Sequence, residues 1–158
     1  PLLADNGEAE LAYNLLLQTG CPGWMYQIER GATTTWERWD ALKPDGTVNE
    51  EKMAGSGDNM VSFNHYAFGS VGEFYYQYIL GIKPQKPGFA ELHFEPYPDR
   101  RLGGVSGSYL SRAGKIESSW KYEEDGCHIS LNTPVKSEVV LPNGQRETVE
   151  EGTYQWLC

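Results

Sequence analysis

Cysteine is scarce. The three present in 158 residues, Cys21, Cys127 and Cys158, lie far apart and share no metal-ligand spacing. They are too few for a disulfide framework, so free thiols are expected and the redox compartment stays open. Basic residues are also short, 13 against 22 acidic ones, for a formal charge of -9 and no basic run. Nucleic acid and anionic membrane surfaces are therefore poor partners. No apolar stretch approaches the ~20 residues that a membrane-spanning helix needs, and the opening PLLADNGEAE lacks a charged leader region. Nothing in the chain addresses it to a compartment. There is no G-x-S-x-G, no phosphate-cradling glycine loop and no Cys/His pair at useful spacing. Asp40, Asp45 and Asp58 do not make the Asp-x-Asp-x-Asp-Gly calcium loop. His65, His93 and His128 are expected on one helix and two separate strands, which gives no zinc cluster, so no metal ligand is assigned.

Aromatic residues, in contrast, are abundant: 13% of the chain, with five Trp and ten Tyr. Such an excess fits a ligand that stacks on flat rings, such as a sugar, although protein cores use the same residues. The stretch GATTTWERWD concentrates the question. It places Glu37 between Trp36 and Trp39, directly after three threonines with no helical period. Either this is an ordinary amphipathic wall, or Glu37 sits in an aromatic-lined pocket that uses a carboxylate.

The length suits one ordinary domain or two small ones. The first half reads as helices. Asp5 and Glu8 suggest a cap pair, and EAELAYNLLLQTG places Ala9, Leu11, Ala12, Leu15 and Leu16 on a core-facing arc closed by Gly20. Pro22 would open a second short helix through Trp24, Met25 and Ile28, stopped by Gly31. The β-branched ATTTW then favours an extended segment, which puts Glu37 near the end of an element. A long polar loop over residues 42–61 follows, and then a third helix over residues 62–80, ended by Gly81 and Pro84. Its arc holds Phe68, Val71, Phe74, Tyr75, Tyr78 and Ile79, with His65 on the other stripe beside Gly69, Gly72 and Tyr76. Tyr75, Tyr76 and Tyr78 are expected to pack between helices. After the linker-like KPQKPG the period changes to two. Ile116, Ser118, Trp120 and Tyr122 alternate with polar neighbours, as do Cys127, Ile129 and Leu131, and Pro-Asn-Gly marks a hairpin turn. The expected fold is thus α+β, with residues 1–84 helical and residues 85–158 a small antiparallel β-sandwich. Two or three helices with broad apolar arcs cannot bury one another fully, so the helical part looks like a share of something larger.

GWMYQIERGATTTWERWD and SFNHYAFGSVGEFYYQYILGI together resemble the C-terminal end of the α-L-rhamnosidases of glycoside hydrolase family 78. The resemblance covers essentially the whole chain and is strongest over residues 23–40 and 62–82. It implies the last helices of an (α/α)6 barrel running into a terminal β-sandwich, and an inverting glycosidase that releases terminal L-rhamnose without a cofactor. The glutamate of its TTxWE motif, the general base, falls on Glu37. The histidine of NHYAFG, a rhamnose ligand, falls on His65. Trp36, Trp39 and Asn64 flank these two and are the further candidates for substrate contact. The chain departs from the pattern in extra residues around AGSGDNMV, and the general acid belongs to earlier barrel segments. The expected partners are a rhamnose-containing glycoside and the remainder of the barrel.

Inverting hydrolysis needs two carboxyl groups about 6.5 to 9.5 Å apart, and one short segment cannot supply both. A base flanked by tryptophans also needs polar partners to keep it ionised, for which Arg38, Arg30 and the hydroxyls of Thr33, Thr34 and Thr35 are candidates. Two other readings remain open on the residues alone. The β part could be a carbohydrate-binding module with Trp120, Tyr109 or Tyr122 as a stacking platform, or it could simply brace the barrel.

Overall fold

The helices that open the chain are short. The computed structural model describes residues 1–50 and 61–158. Helix α1 is Leu2–Asp5, α2 is Ala9–Leu17 and α3 is Trp24–Glu29. Asp5 ends α1 rather than capping α2, and Glu8 precedes α2 without a side-chain capping bond. Helix α2 stops on the extended Gln18, ahead of Gly20. It buries Tyr13 and Leu16, whereas Leu11 and Leu15 remain 44% and 42% exposed. The apolar arc is wider than the surface this chain supplies to cover it, so only one edge of it is used. Helix α3 begins at Trp24, after the cis Cys21–Pro22 bond, and ends at Glu29, with Gly31 just past its C-cap Arg30. Gly31 takes a left-handed φ of 82° and its amide donates to the Ile28 carbonyl at 2.9 Å, a glycine cap of the expected kind.

The third helix starts later than expected. A 3-10 turn over Ala67–Ser70 leads into α4, Val71–Phe74, and then a π turn over Tyr75–Ile79. Residues 62–66 are not helical, so His65 precedes the helix and shares no stripe with Gly69, Gly72 and Tyr76. Phe74, Tyr78 and Ile79 are buried, while Tyr75 and Tyr76 are 37% and 43% exposed and do not pack between helices as expected. Gly81 closes the run at φ 73°, where a Cβ would stand 2.3 Å from the Pro96 nitrogen. Contacts divide the chain into compact units at residues 2–71 and 72–158, ahead of the boundary at 84/85 expected from sequence. The greater part of the AGSGDNMV departure, and Asp58, lie outside the described residues.

Eight strands follow: β1 (Ile82–Pro84), β2 (Leu92–Phe94), β3 (Gly104–Ser111), β4 (Gly114–Glu123), β5 (Gly126–Thr133), β6 (Ser137–Val140), β7 (Arg146–Val149) and β8 (Gly152–Leu157). They form two four-stranded sheets ordered β1-β2-β6-β7 and β3-β4-β5-β8. Every pairing is antiparallel except the parallel β2–β6. The fold is α+β, as expected. The residues KPQKPG are no free linker: Lys83 and Pro84 belong to β1, and the chain turns through Pro87–Phe89 into β2 as a hairpin. Pro84 is tolerated because β1 is an edge strand and its missing N–H breaks no interior ladder.

Alternation sets the sandwich core. Ile116, Ser118 and Trp120 of β4 and Cys127, Ile129 and Leu131 of β5 are all buried. The sheet and the helix end share that core through two bonds. The Trp120 indole Nε1 donates to the Ile79 carbonyl and the Ser118 hydroxyl to the Leu80 carbonyl, each at 2.6 Å. Trp120 is therefore no stacking platform: the period of two that makes it a strand residue also points it inward. Tyr122 is half-buried beneath the Arg100 guanidinium, 4.3 Å from its ring. Of the three platform candidates Tyr109 alone is open, at 40% exposure.

Candidate active site

Two of the three threonines, Thr34 and Thr35, answer the question posed by GATTTWERWD. Residues 34–37 run alongside residues 62–65 as a strap of paired backbone. The Glu37 amide donates to the Ser62 carbonyl at 2.9 Å and the His65 amide to the Thr35 carbonyl at 2.8 Å. Between these, the Thr35 hydroxyl donates to the His65 carbonyl at 2.5 Å and the Thr34 hydroxyl to the Phe63 carbonyl. β-branched residues favour the extended backbone that such pairing needs, and their hydroxyls satisfy carbonyls that a helix would otherwise have used. This explains why residues 62–66 leave the helix.

Glu37 is half-buried, and its Oε2 accepts a bond from the Ser62 amide at 2.9 Å. Backbone and side chain of Glu37 thus both close on Ser62, which fixes the carboxylate relative to the opposite segment. On that segment the His65 Nδ1 accepts from the Ala67 amide at 3.2 Å. In a neutral ring the proton then sits on Nε2, which is left as a donor and has no hydrogen-bond partner among the described residues. The His65 ring lies parallel to that of Tyr66, with centroids 5.1 Å apart.

A buried glutamine holds the turn from behind. Gln27 of α3 is 3% exposed. Its Oε1 accepts from the Trp36 amide and its Nε2 donates to the Arg38 carbonyl, both at 3.3 Å, so the two bonds bracket Glu37. Arg38 pairs with Asp40 through two bonds of 3.1 Å, and Asp40 also accepts from Asn49 at 2.7 Å. The Arg30 guanidinium lies 4.3 Å from the Tyr26 ring centroid. The polar partner that meets Glu37 is thus the Ser62 amide, a group with no sequence signal of its own.

The two tryptophans have different surroundings. Trp36 is 3% exposed, its ring edge-on to Phe63 with centroids 5.3 Å apart. Trp39 is half-buried, stacked on Phe68 at 3.8 Å and edge-on to Trp24 at 4.8 Å, and Trp24 donates its indole N–H to the Phe68 carbonyl. Asn64 is exposed, with its amide donating to the Ser62 hydroxyl at 3.2 Å. Four of the five residues singled out from sequence, Trp36, Glu37, Asn64 and His65, therefore fall on the two segments of one strap, and Trp39 lies two residues beyond it. Ser62 and Gln27 were missed. A glutamine within the apolar WMYQIE of α3 was the one available hint.

The thiols offer no competing chemistry. All three are free, and burial first of all pushes Cys21, Cys127 and Cys158 above the ordinary thiol range, which keeps them protonated. In the sandwich, Glu123, Asp125 and His128 each bring one ligand atom within 4.8 Å of the others at the β4–β5 turn. All three are exposed, and His128 is already bonded to Asp125 at 2.8 Å.

Comparisons with known proteins cover both halves of the chain. Residues 1–79 match the bacterial alpha-L-rhamnosidase 6 hairpin glycosidase domain, and residues 81–155 match the bacterial alpha-L-rhamnosidase C-terminal domain. An alpha-L-rhamnosidase of Streptomyces avermitilis is 35% identical over 98% of this chain, and one of Alteromonas sp. (strain LOR) is 38% identical over 90%. The chain spans only 15% of the length of each. Among solved structures, the native α-L-rhamnosidase from Aspergillus terreus superposes with a TM-score of 0.87 at 34% identity, covering 98% of this chain and 18% of that one. The Streptomyces avermitilis alpha-L-rhamnosidase complexed with L-rhamnose gives 0.87 at 31% identity, covering 98% of this chain and 16% of that one.

Proposed function

Because the chain belongs to the bacterial α-L-rhamnosidases, we propose that it is the C-terminal portion of an inverting α-L-rhamnosidase and carries part of that enzyme's active site. The substrate is a glycoside ending in L-rhamnose. Glu37 is the general base: its carboxylate takes a proton from a water that attacks the anomeric carbon, while a carboxyl group from the rest of the barrel protonates the departing oxygen. His65 binds the sugar, donating from Nε2 to a hydroxyl. Trp39 and Asn64 flank the ring, and Trp36 walls the turn from which Glu37 projects. The two-part organisation, a barrel segment followed by a sandwich, belongs to the same proposal.

One observation carries this reading. The Ser62 amide holds Glu37 Oε2 at 2.9 Å on the segment that also presents His65 with Nε2 unengaged among the described residues. A carboxylate held by one oxygen keeps the other for a water, and a histidine locked at Nδ1 keeps a donor for a sugar hydroxyl. Desolvation, stacking and orientation by the remaining barrel would complete the site.

In the enzyme that contains this segment, Glu37→Gln should lower kcat on an aryl α-L-rhamnoside by about 10²- to 10⁴-fold, with KM little changed. Wild-type kcat in that variant would refute the assignment. The purified 158-residue chain, without the barrel segments proposed to supply the general acid, should not turn over the same substrate.

A further inference from the structure

One concavity in the unit over residues 72–158 has walls unusual for a surface hollow. Tyr76, Tyr109 and Phe89 bring three rings to one cavity of about 320 Å³, with Gly72, Glu73 and Gln77 along the helical side. Tyr76 and Tyr109 are 43% and 40% exposed. Their rings meet edge-to-face at 6.1 Å, and Phe89 tilts against Tyr109 at 4.8 Å. Two exposed rings with a third against them, gathered at one cavity on an edge strand of the sandwich, form an apolar cluster of the kind that marks a binding site.

Two local choices work against stability yet keep the cavity as it is. Phe89 has a φ of 59°, the one left-handed non-glycine residue among those described, and that conformation sets its ring into the cavity wall. Gly72 stands in a helical turn where its φ demands no glycine, and an added Cβ would meet nothing within 4 Å. Unlike Gly69, where Thr35 Oγ1 stands 3.7 Å from the added atom, Gly72 has no close neighbour among the described residues. What its missing side chain leaves is open space in the cavity. Beside it Gln77 donates to Glu73 Oε1 at 3.0 Å, which orients the carboxylate and leaves its other oxygen as an acceptor.

We propose that this cavity is a second saccharide-binding site, which takes a neutral pyranose ring of a glycan against Tyr76 and Tyr109 and accepts its hydroxyls on Glu73 and Gln77. Ring faces match the C–H faces of a pyranose, a carboxylate with an amide beside it matches adjacent hydroxyls, and the volume holds one sugar ring. The carboxylate and the chain's net charge of -9 select against anionic ligands. Only the ligand class rests on the proposed rhamnosidase function; the cavity shares no residue with the strap of Glu37 and His65. Its role is to hold a glycan while a terminal residue is removed elsewhere.

The test separates the two sites. The chain carrying Glu37→Gln and His65→Ala is titrated with methyl α-L-rhamnopyranoside and methyl β-D-glucopyranoside while amide and aromatic NMR signals are followed. Saturable shifts on Tyr76, Phe89 and Tyr109 are expected for at least one glycoside, weakened at least tenfold by each of Tyr109→Ala, Glu73→Gln and Gly72→Leu in that background. Glu73→Gln is an exposed, isosteric change and Gly72→Leu fills open space, so both report binding even where Tyr109→Ala perturbs the fold. Absence of saturable binding by either glycoside, or binding that all three changes leave intact, overturns the proposal. So does binding that vanishes with Glu37→Gln and His65→Ala, whereas the rhamnosidase reading itself stands or falls on hydrolysis by the Glu37→Gln enzyme.

Discussion

Glu37 is positioned by groups that cost little to state and much to lose. The side chain of Gln27 supplies a donor and an acceptor to backbone groups on either side of it, both bonds being 3.3 Å and the amide 3% exposed. Gln27→Leu removes both at once and leaves the Trp36 amide and the Arg38 carbonyl without that partner, a loss of roughly 1 to 3 kcal/mol for each buried group left unmade. With Glu37 as the proposed base, we expect a lower Tm in thermal unfolding and a fall in kcat larger than any change in KM, since the carboxylate is misaimed while the proposed sugar contacts persist. His65→Ala should act the other way around. On the proposed roles it removes a donor to the sugar and spares the base, so KM should rise about tenfold, the effect of ~1.4 kcal/mol, in steady-state assays of the full enzyme. An unchanged KM would remove His65 from the binding site.

At the scale of elements, the strap shows where sequence patterns carry information and where they do not. The strands of the sandwich were legible because a period of two is imposed by the pleat itself: Ile116, Ser118 and Trp120 face inward as their spacing requires. The third helix was legible only from Ala67 onward. Over residues 62–66 a distant partner, the TTT segment, offers backbone bonds that outcompete helix formation, and no local propensity records a partner 30 residues away. The same holds for Ser62, whose amide matters and whose side chain does not announce it. Of the candidate site, the glutamate and histidine were readable as motifs, whereas their fixing bonds were not. Thr35→Val tests the element. It keeps the β-branched shape and deletes the donor to the His65 carbonyl, so it should cost about 1 kcal/mol and raise hydrogen-exchange rates at the His65 amide while the sandwich stays protected. Gly81→Ala tests the helix exit. A Cβ 2.3 Å from the Pro96 nitrogen, at φ 73°, cannot be accommodated without moving backbone, and we expect a loss of more than about 3 kcal/mol or failure to fold, read as a collapsed Tm.

For the whole molecule, pH sets two opposing effects whose relative size follows from distance. The Asp99 and Glu117 carboxyls are held below their ordinary values of 3.8 and 4.5 first of all by hydrogen bonds from Arg101 and Lys115. Glu95 is pushed up by burial but ends lower, because bonds from His93 and Lys83 outweigh it. For a carboxyl whose folded value is lowered, the stabilisation is complete above its unfolded value and is lost as pH falls through the folded one. His128 has the opposite sign: its bond to Asp125 raises it from 6.5, so its contribution is complete below that value and is lost as pH rises through the folded one. The net charge of -9 pulls against the carboxyls, since acid would relieve repulsion. Repulsion summed over the chain's carboxylates is screened over a Debye length of about 8 Å at 0.15 M salt, whereas the pairs act at contact, 3.3 Å for Lys83 and Glu95. The pairs therefore win at physiological ionic strength. Tm should be highest at mildly acid pH, fall steeply below about pH 4.5 and decline slightly above about pH 6.5. Glu95→Gln should flatten the acid limb more than Glu117→Gln does, because Glu95 is the less exposed carboxylate and its pair is the less screened by water. Circular-dichroism melting between pH 3 and 8 measures this. A Tm that keeps rising as pH falls below about 4.5 at 0.15 M salt would show that repulsion, and not pairing, governs the stability of the chain.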